Sequence, residues 1–538
     1  MAEYFTHKSF LVVDDYADMR TAIRSILRSL GVNLIDQARD GNDAIAQMSS
    51  KRYDVVLCDY NLGPGKDGQQ VLEEARYRHL IGVDTIFVMI TAENTREMVM
   101  GAVEFAPDNY LSKPFTKELL GTRLAKLFER KADLKAVNKA LMAKDFAAAI
   151  AQLDRLIAAG PKNLPELYKL EAEICLDARR LDEAMAIYER ILATREVPWA
   201  RLGVGKVLFG RKLYAQAQEV FRELVARDPN LIVAYDWLAK TQTALQQFAD
   251  AEQTLQAASR LSPRGLARQQ LLGDLALGNG NTLVAETAFT RAVALAKNSV
   301  LNHPALFARL ARSKSANGRH AEALKVVGEI GKVFTDQAEA PFYAATAAAI
   351  VKQSAGDAAG AREALSAAED CLNRLGSGTS ASTTALEMAK AYSQLGESDK
   401  AAALLNRVIA NNHDDEDLLM ELVQVCHQTG LEYDAEAAIR EIREHVVKTN
   451  NLGVRLIKQG EFAAAIAHLR TAAEEMPDNK TISLNVAKAI IMKMEKMGAT
   501  DQEVEAVGQC IERVRRLAPN DWRLADIVSR LRQLSPKP

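Results

Sequence analysis

The sequence predicts two architectures in one chain. A doubly wound α/β fold with a five-stranded parallel sheet comes first, and an all-α solenoid follows. Two observations carry this. Up to about residue 125, short apolar runs alternate with amphipathic helical stretches. Beyond about residue 131 the strand signals stop, and alanine- and leucine-rich helix pairs recur at a spacing of 34 residues.

The strands are expected at Phe10–Val13, Leu34–Ala38, Tyr53–Cys58, Ile86–Ile90 and Tyr110–Leu111. Helical patterns lie between and after them, as at Met19–Leu30, Val71–Arg78 and Lys117–Leu127. Strand and helix alternating in this way imply parallel strands covered on both faces. In the second region a small residue opens the second helix of each pair. Ala217, Ala251 and Ala285 stand 34 residues apart, and Phe221, Leu255 and Phe289 follow at a fixed offset. Pro229 and Pro263 close successive units. We expect about ten helix pairs over residues 129–538, after an α/β domain over 1–128. Gly376–Ser380 reads as an elongated surface loop, with a hinge near 376–382 as the alternative.

Composition narrows the function. The chain has 538 residues and a formal net charge of -2, from 68 basic and 70 acidic side chains. That balance argues against nucleic acid or an anionic membrane as the main partner. Cys58, Cys175, Cys371, Cys426 and Cys510 show no paired spacing, so we expect reduced thiols and no zinc site. His79, His303, His320, His413, His427 and His468 show no ligand spacing either. No signal-peptide pattern opens the sequence and no stretch is long enough to span a bilayer, so a cytoplasmic location is expected.

The chemistry concentrates at strand ends. Asp14 and Asp15 follow the first strand, Asp59 the third, Thr91 the fourth and Lys113 the fifth. In a parallel α/β sheet the strand C-termini share one edge, so these side chains should converge. Singly, each has an ordinary explanation as a turn residue, helix cap or solvated charge. Together they suit one task. Carboxylates are the hard oxygen ligands that Mg2+ takes, and a carboxylate among them can act as nucleophile towards phosphorus. Lys113 can pair with one phosphoryl oxygen and the Thr91 hydroxyl can donate to another.

Residues 8 to about 127 closely resemble the receiver domains of two-component response regulators, which have a flavodoxin-like fold. The resemblance rests on Asp14-Asp15, on Asp59 with the loop to Gly68, on Thr91, and on Lys113-Pro114-Phe115. It implies that Asp59 is the phosphoacceptor. It implies that Asp14, Asp15, Asp59 and the backbone carbonyl of Asn61 hold Mg2+. Thr91 and Lys113 would serve the transfer, and Thr91 with Tyr110 would form the switch. Asn61 and Glu93 stand where receivers tune the lifetime of the phosphoryl group, and an amide and an acid there imply a short-lived state. The Lys113–Pro114 bond is expected to be cis. Ala106-Pro107 departs from the family pattern near the face through which receivers pair, and a homodimer stays open.

The helix pairs resemble tetratricopeptide repeats. Trp199, Leu202 and Gly203 look like the opening of a first helix. Leu452, Gly453, Gly460, Phe462, Ala465, Leu469 and Pro477 form another unit. Asn317-Gly318, Ala355-Gly356 and Leu395-Gly396 look like turns between helices. Such arrays bind proteins in a groove, and Lys169, Arg201, Lys206, Asp236, Lys240, Asn450 and Arg455 are candidate liners. Cys58 beside the acceptor reads as a buried strand residue.

The expected function is a phosphorylation-controlled response regulator whose repeats bind a protein partner. A sensor histidine kinase or phosphotransfer protein would supply the phosphoryl group. The alternatives are a phosphorylation-gated regulatory subunit of a partner enzyme, and an RNA-binding helical-repeat protein. Beyond gaining and losing its own phosphoryl group, no enzyme activity is expected.

Overall fold

A computed structural model describes residues 5–92, 107–375, 381–518, 521 and 523–534. The five strands are β1 (Ser9–Val13), β2 (Leu34–Ala38), β3 (Val55–Asp59), β4 (Ile86–Thr91) and β5 (Asn109–Ser112). They form one sheet of order β2-β1-β3-β4-β5, with every pair parallel. This is a doubly wound flavodoxin-like order. Helices α1 (Ala17–Ser29), α2 (Gly41–Ser50) and α3 (Gly68–Tyr77) lie between strands, and α4 (Lys117–Arg130) follows β5. Residues 93–106, between β4 and β5, fall outside the described residues.

The sheet separates two apolar clusters, as the period of two along a strand demands. Phe10, Val12, Val55, Leu57, Val88 and Ile90 face Leu27 of α1 and Leu124 of α4. Leu11, Val13, Val56, Cys58, Phe87 and Met89 face Ile45 of α2 and Val71 of α3. Residues of β3 and β4 are buried throughout, which is why the sequence shows them as continuous apolar runs.

The chain divides into two compact units, Met1–Leu272 with Thr290–Asn302, and Gly273–Phe289 with His303–Pro538. Besides the sheet, the first holds α5 (Lys135–Met142), α6 (Phe146–Ala158), α7 (Leu164–Asp177), α8 (Leu181–Thr194), α9 (Pro198–Gly210), α10 (Tyr214–Arg227), α11 (Ile232–Ala244) and α12 (Phe248–Leu261). The division falls within α13 (Leu266–Gly278) and α14 (Thr282–Ala296). The second unit continues with α15 (Pro304–Ala316), α16 (His320–Val333), α17 (Ala340–Ser354), α18 (Ala358–Leu375), α19 (Ala381–Gln394), α20 (Ser398–Asn411) and α21 (Glu416–Thr429). It ends with α22 (Ala435–Gln459), α23 (Phe462–Glu475), α24 (Lys480–Met497), α25 (Asp501–Leu517) and α26 (Arg523–Leu534).

Packing explains the repeat pattern. Ala149, Ala184, Ala217 and Ala251 in the first unit are fully buried, as are Ala323, Ala361, Ala401 and Ala465 in the second. Large side chains fill the space that small ones leave. At Gly203 of α9 a Cβ would stand 2.2 Å from the Tyr188 ring, and at Gly453 it would stand 2.4 Å from Leu469. The turns at Gly318, Gly356 and Gly396 fall where expected, all with positive φ. In earlier pairs Lys144, Arg179, Lys212 and Gln246 take that left-handed conformation. One difference from expectation is α22, a single helix of 25 residues. No glycine or proline interrupts the chain from Ala435 to Leu452, so the helix runs on past the point where a new unit was read. The surface loop expected at 376–380, with its alternative hinge near 376–382, lies largely outside the described residues.

No linker separates the sheet from the first helix pair. Lys131, just after α4, pairs with Asp108 at 2.7 Å and also donates to the Thr85 carbonyl. Asn163 Nδ2 donates to the Arg130 carbonyl at 2.9 Å. Leu134 and Val137 share an apolar cluster with Val83.

The second unit buries an ion network. Glu387 of α19 is 2.8 Å from Arg312 of α15 and 2.8 Å from Lys390, and all three are almost wholly enclosed. Burial alone would raise the Glu387 pKa, but Arg312, Lys390 and Arg309 outweigh it and hold the carboxyl well below the usual range. A folded-state pKa below the unfolded one stabilises the fold above the ordinary carboxylate pKa. That stability is lost as pH falls through the depressed folded value. Glu387→Gln leaves two cations without their buried counter-charge, so denaturant unfolding of the full chain at neutral pH should show a loss of about 3 kcal/mol. The loss should shrink towards strongly acid pH.

Candidate functional site

The candidate site sits at the C-terminal edge of the sheet, where the parallel register brings strand ends level. Val13 pairs with Cys58, Asp59 with Ile90, and Thr91 with Ser112. Asp14 and Asp15 therefore follow β1, Asp59 and Thr91 end β3 and β4, and Lys113 follows β5.

Lys113 joins the two buried acids. Its Nζ is 2.8 Å from Asp14 Oδ2 and 2.9 Å from Asp59 Oδ2. Asp15 is exposed, yet carboxylate oxygens of Asp14, Asp15 and Asp59 all lie within 4.8 Å of one another. Among the described residues this is the one group of three or more such side chains close enough to share a cation. Three carboxylates with a solvent-facing member fit a hard divalent ion that keeps some of its water.

The electrostatics oppose one another. Burial raises the Asp59 pKa and the Asp14 charge adds to it, while Lys113 pulls it down; the net direction is upward. Burial alone would lower Lys113, but its hydrogen bonds to Asp14 and Asp59 overcome this and raise it. The ammonium thus stays charged where two anions need it.

Backbone contacts fix the geometry. Tyr16 N donates to Asp14 Oδ1 at 2.9 Å. Lys113 N donates to the Thr91 carbonyl at 2.7 Å, and the Lys113–Pro114 bond is cis as expected. Thr91 is buried at the end of β4. Asn61 is exposed, and its Oδ1 accepts from Gly63 N at 3.3 Å. Tyr110 is half-buried beside the cluster containing Phe87 and Met89. Burial raises its phenol pKa, and the neighbouring Tyr60 adds to this. Glu93 and Ala106 lie outside the described residues.

Sequence reasoning missed two supports. Arg20 of α1 reaches back to the carbonyls of Asp14 at 2.7 Å and Asp15 at 3.1 Å. Its place in the first turn of an amphipathic helix resembled any solvated arginine. Gly68 opens α3 directly against Asp59, where a Cβ would stand 2.2 Å from the Asp59 carbonyl oxygen. The Asp67-Gly68 pair was visible as loop, but its close approach was not.

The candidate groove residues differ in their surroundings. Asp236 is taken by the buried guanidinium of Arg268, at 2.7 and 2.9 Å. Arg201 pairs with Glu196, and Asn485 donates to Asn450 at 2.6 Å. Lys206 and Lys240 lie over the Trp237 ring, 5.4 and 5.3 Å from its centroid. Lys169 and Arg455 are exposed. Cys58 is buried, and no helix among the described residues is long and apolar enough to cross a membrane.

Comparison with known proteins finds two families along the chain. The model for the response regulator receiver domain matches residues 10–125, and that for the tetratricopeptide repeat matches 134–198 and 386–445. The chain is 36% identical over 124 residues to chemotaxis protein CheY-3 of Vibrio cholerae, covering 22% of this chain and 91% of that protein. It is 34% identical over 124 residues to chemotaxis protein CheY of Pseudomonas aeruginosa, covering 22% of this chain and 95% of that one. The high-resolution structure of the Vibrio cholerae chemotaxis response regulator CheY4 aligns at 27% identity with a TM-score of 0.21, covering 22% of this chain and 98% of the other.

The opposing charges make a direct prediction. Asp14→Asn removes the like charge and should lower the Asp59 pKa, whereas Lys113→Met removes the attractive one and should raise it further. Carboxyl-carbon NMR titration of the two variants should show shifts of opposite sign.

Proposed function

We propose that this chain, which belongs to the response regulators through its receiver domain and carries tetratricopeptide repeats after it, is a two-component regulator whose phosphorylation at Asp59 governs protein binding by the repeats. One observation supports this above the others: a single ammonium, Lys113, joins the acids that follow β1 and end β3, with a third carboxylate beside them. In this reading the receiver spans residues 1–128 and the repeat array 129–538.

A sensor histidine kinase or phosphotransfer protein supplies the phosphoryl group. An Asp59 oxygen forms a bond to phosphorus as the donor's bond to phosphorus breaks, and its electron pair leaves with the donor. Asp14, Asp15, Asp59 and the Asn61 carbonyl would hold Mg2+, which would supply positive charge to offset that of the phosphoryl group. Lys113 pairs with one of those oxygens, and the Thr91 hydroxyl donates to another. Phosphorylation replaces about one negative charge on Asp59 by roughly two. That draws Thr91 inward, and Tyr110 moves into the space left. Asn61 and Glu93 set how quickly water removes the group. The chain needs no other catalytic activity for this role.

The repeats bind the output protein, since stacked helix pairs present an extended surface rather than a reaction centre. With acetyl phosphate as donor and Mg2+ present, the full chain should take up label that Asp59→Asn or a chelator abolishes. Retention of label by the Asp59→Asn protein contradicts the reading.

A further inference from the structure

The loop that leaves the candidate phosphorylation site is gripped by residues about two hundred positions further along the chain. Arg264, in the turn between α12 and α13, places Nη2 2.6 Å from Asp67 Oδ2. The same guanidinium lies over the ring of Tyr60, 5.4 Å from its centroid. Tyr60 is the residue after Asp59. Three further contacts come from the end of α14 and the turn after it. Asn298 Nδ2 donates to the Gly65 carbonyl at 2.7 Å, Ser299 Oγ donates to Glu73 at 2.7 Å, and Gln70 Nε2 donates to the Leu295 carbonyl at 3.1 Å. All these residues belong to the first compact unit.

The grip reaches Asp59 in few steps. Asp67 presents one carboxylate oxygen to Arg264 and the other, at 2.8 Å, to the Gln70 N–H as the N-cap of α3. The next residue, Gly68, lies flush against the Asp59 carbonyl, and its N–H donates to the Tyr60 carbonyl at 2.8 Å. A displacement of Arg264 therefore moves the cap, and the cap abuts the acceptor's own backbone. A planar guanidinium can pair with a carboxylate and lie on a ring at once.

We propose that Arg264 is a positioning residue for phosphorylation of Asp59, and that through it the repeats register the state of the loop Tyr60–Asp67. The proposal rests on the reading of Asp59 as acceptor. It assigns the link between receiver and repeats to this loop.

The test uses the full chain with acetyl phosphate and Mg2+. Arg264→Ala should slow labelling about fivefold at saturating acetyl phosphate, with little change in the half-saturating concentration. Arg264→Lys should restore part of the rate, because it keeps the charge and loses the stacking. Asp67→Asn, which retains an N-cap, should slow labelling as well. Hydrogen exchange of wild-type protein with Mg2+ and beryllofluoride should change protection in 262–266 and 295–299. Wild-type labelling kinetics in Arg264→Ala overturn the positioning role, and unchanged exchange in those segments overturns the sensing role. Wild-type protein that takes no label overturns the reading of Asp59 itself, and this proposal with it.

Discussion

Everything at the sheet edge depends on Lys113 sitting between Asp14 and Asp59. Without a cation, enclosing two carboxylates so close together is costly, because burial and mutual repulsion both favour protonation. The ammonium offsets part of that cost, and Asp15 faces solvent. The site is thus charged enough to attract a divalent ion and a phosphoryl donor, and desolvated enough for added charge to be felt. The same enclosure raises the Asp59 pKa. Burial and the Asp14 charge oppose its anionic form, and Lys113 favours it.

The parallel sheet supplies this arrangement cheaply. Strands β1, β3, β4 and β5 carry the polar residues to the common edge, and the apolar clusters on either face fix the strands. The helix pairs solve a different problem. None buries its faces alone, so each borrows a surface from its neighbour through buried alanines and glycines that admit an aromatic ring or a leucine. The sheet and the first pairs meet without a linker, through Lys131, Asn163 and Leu134. A receiver mounted this way has few degrees of freedom relative to the helices beside it, which suits transmission of small movements.

Much of this was legible from the sequence because the relevant signals are local. Buried parallel strands read as apolar runs, and Asp14, Asp59, Thr91 and Lys113 stand at their ends. The cis bond at Pro114 followed from the resemblance of Lys113-Pro114-Phe115. The repeat turns at Gly318 and Gly396 were visible because glycine marks a left-handed position. Turns that place Lys144, Arg179, Lys212 or Gln246 there carry no such mark. The continuous α22 was missed because motif spacing describes helix faces and is silent on whether a turn intervenes. Arg264 and Asn298 were out of reach altogether. Their partners Asp67 and Gly65 are distant in sequence, and no local pattern distinguishes them from solvated side chains.

The central claim is that these residues form a phosphoryl-accepting site with Asp59 as the acceptor. A crystal structure of the full chain grown with Mg2+ and beryllofluoride tests it most directly. The account predicts beryllium bonded to an Asp59 oxygen, a metal ion held by Asp14, Asp15 and Asp59, and Lys113 turned to a fluoride. Beryllofluoride on a different carboxylate, or a metal ion bound away from this edge, would contradict it.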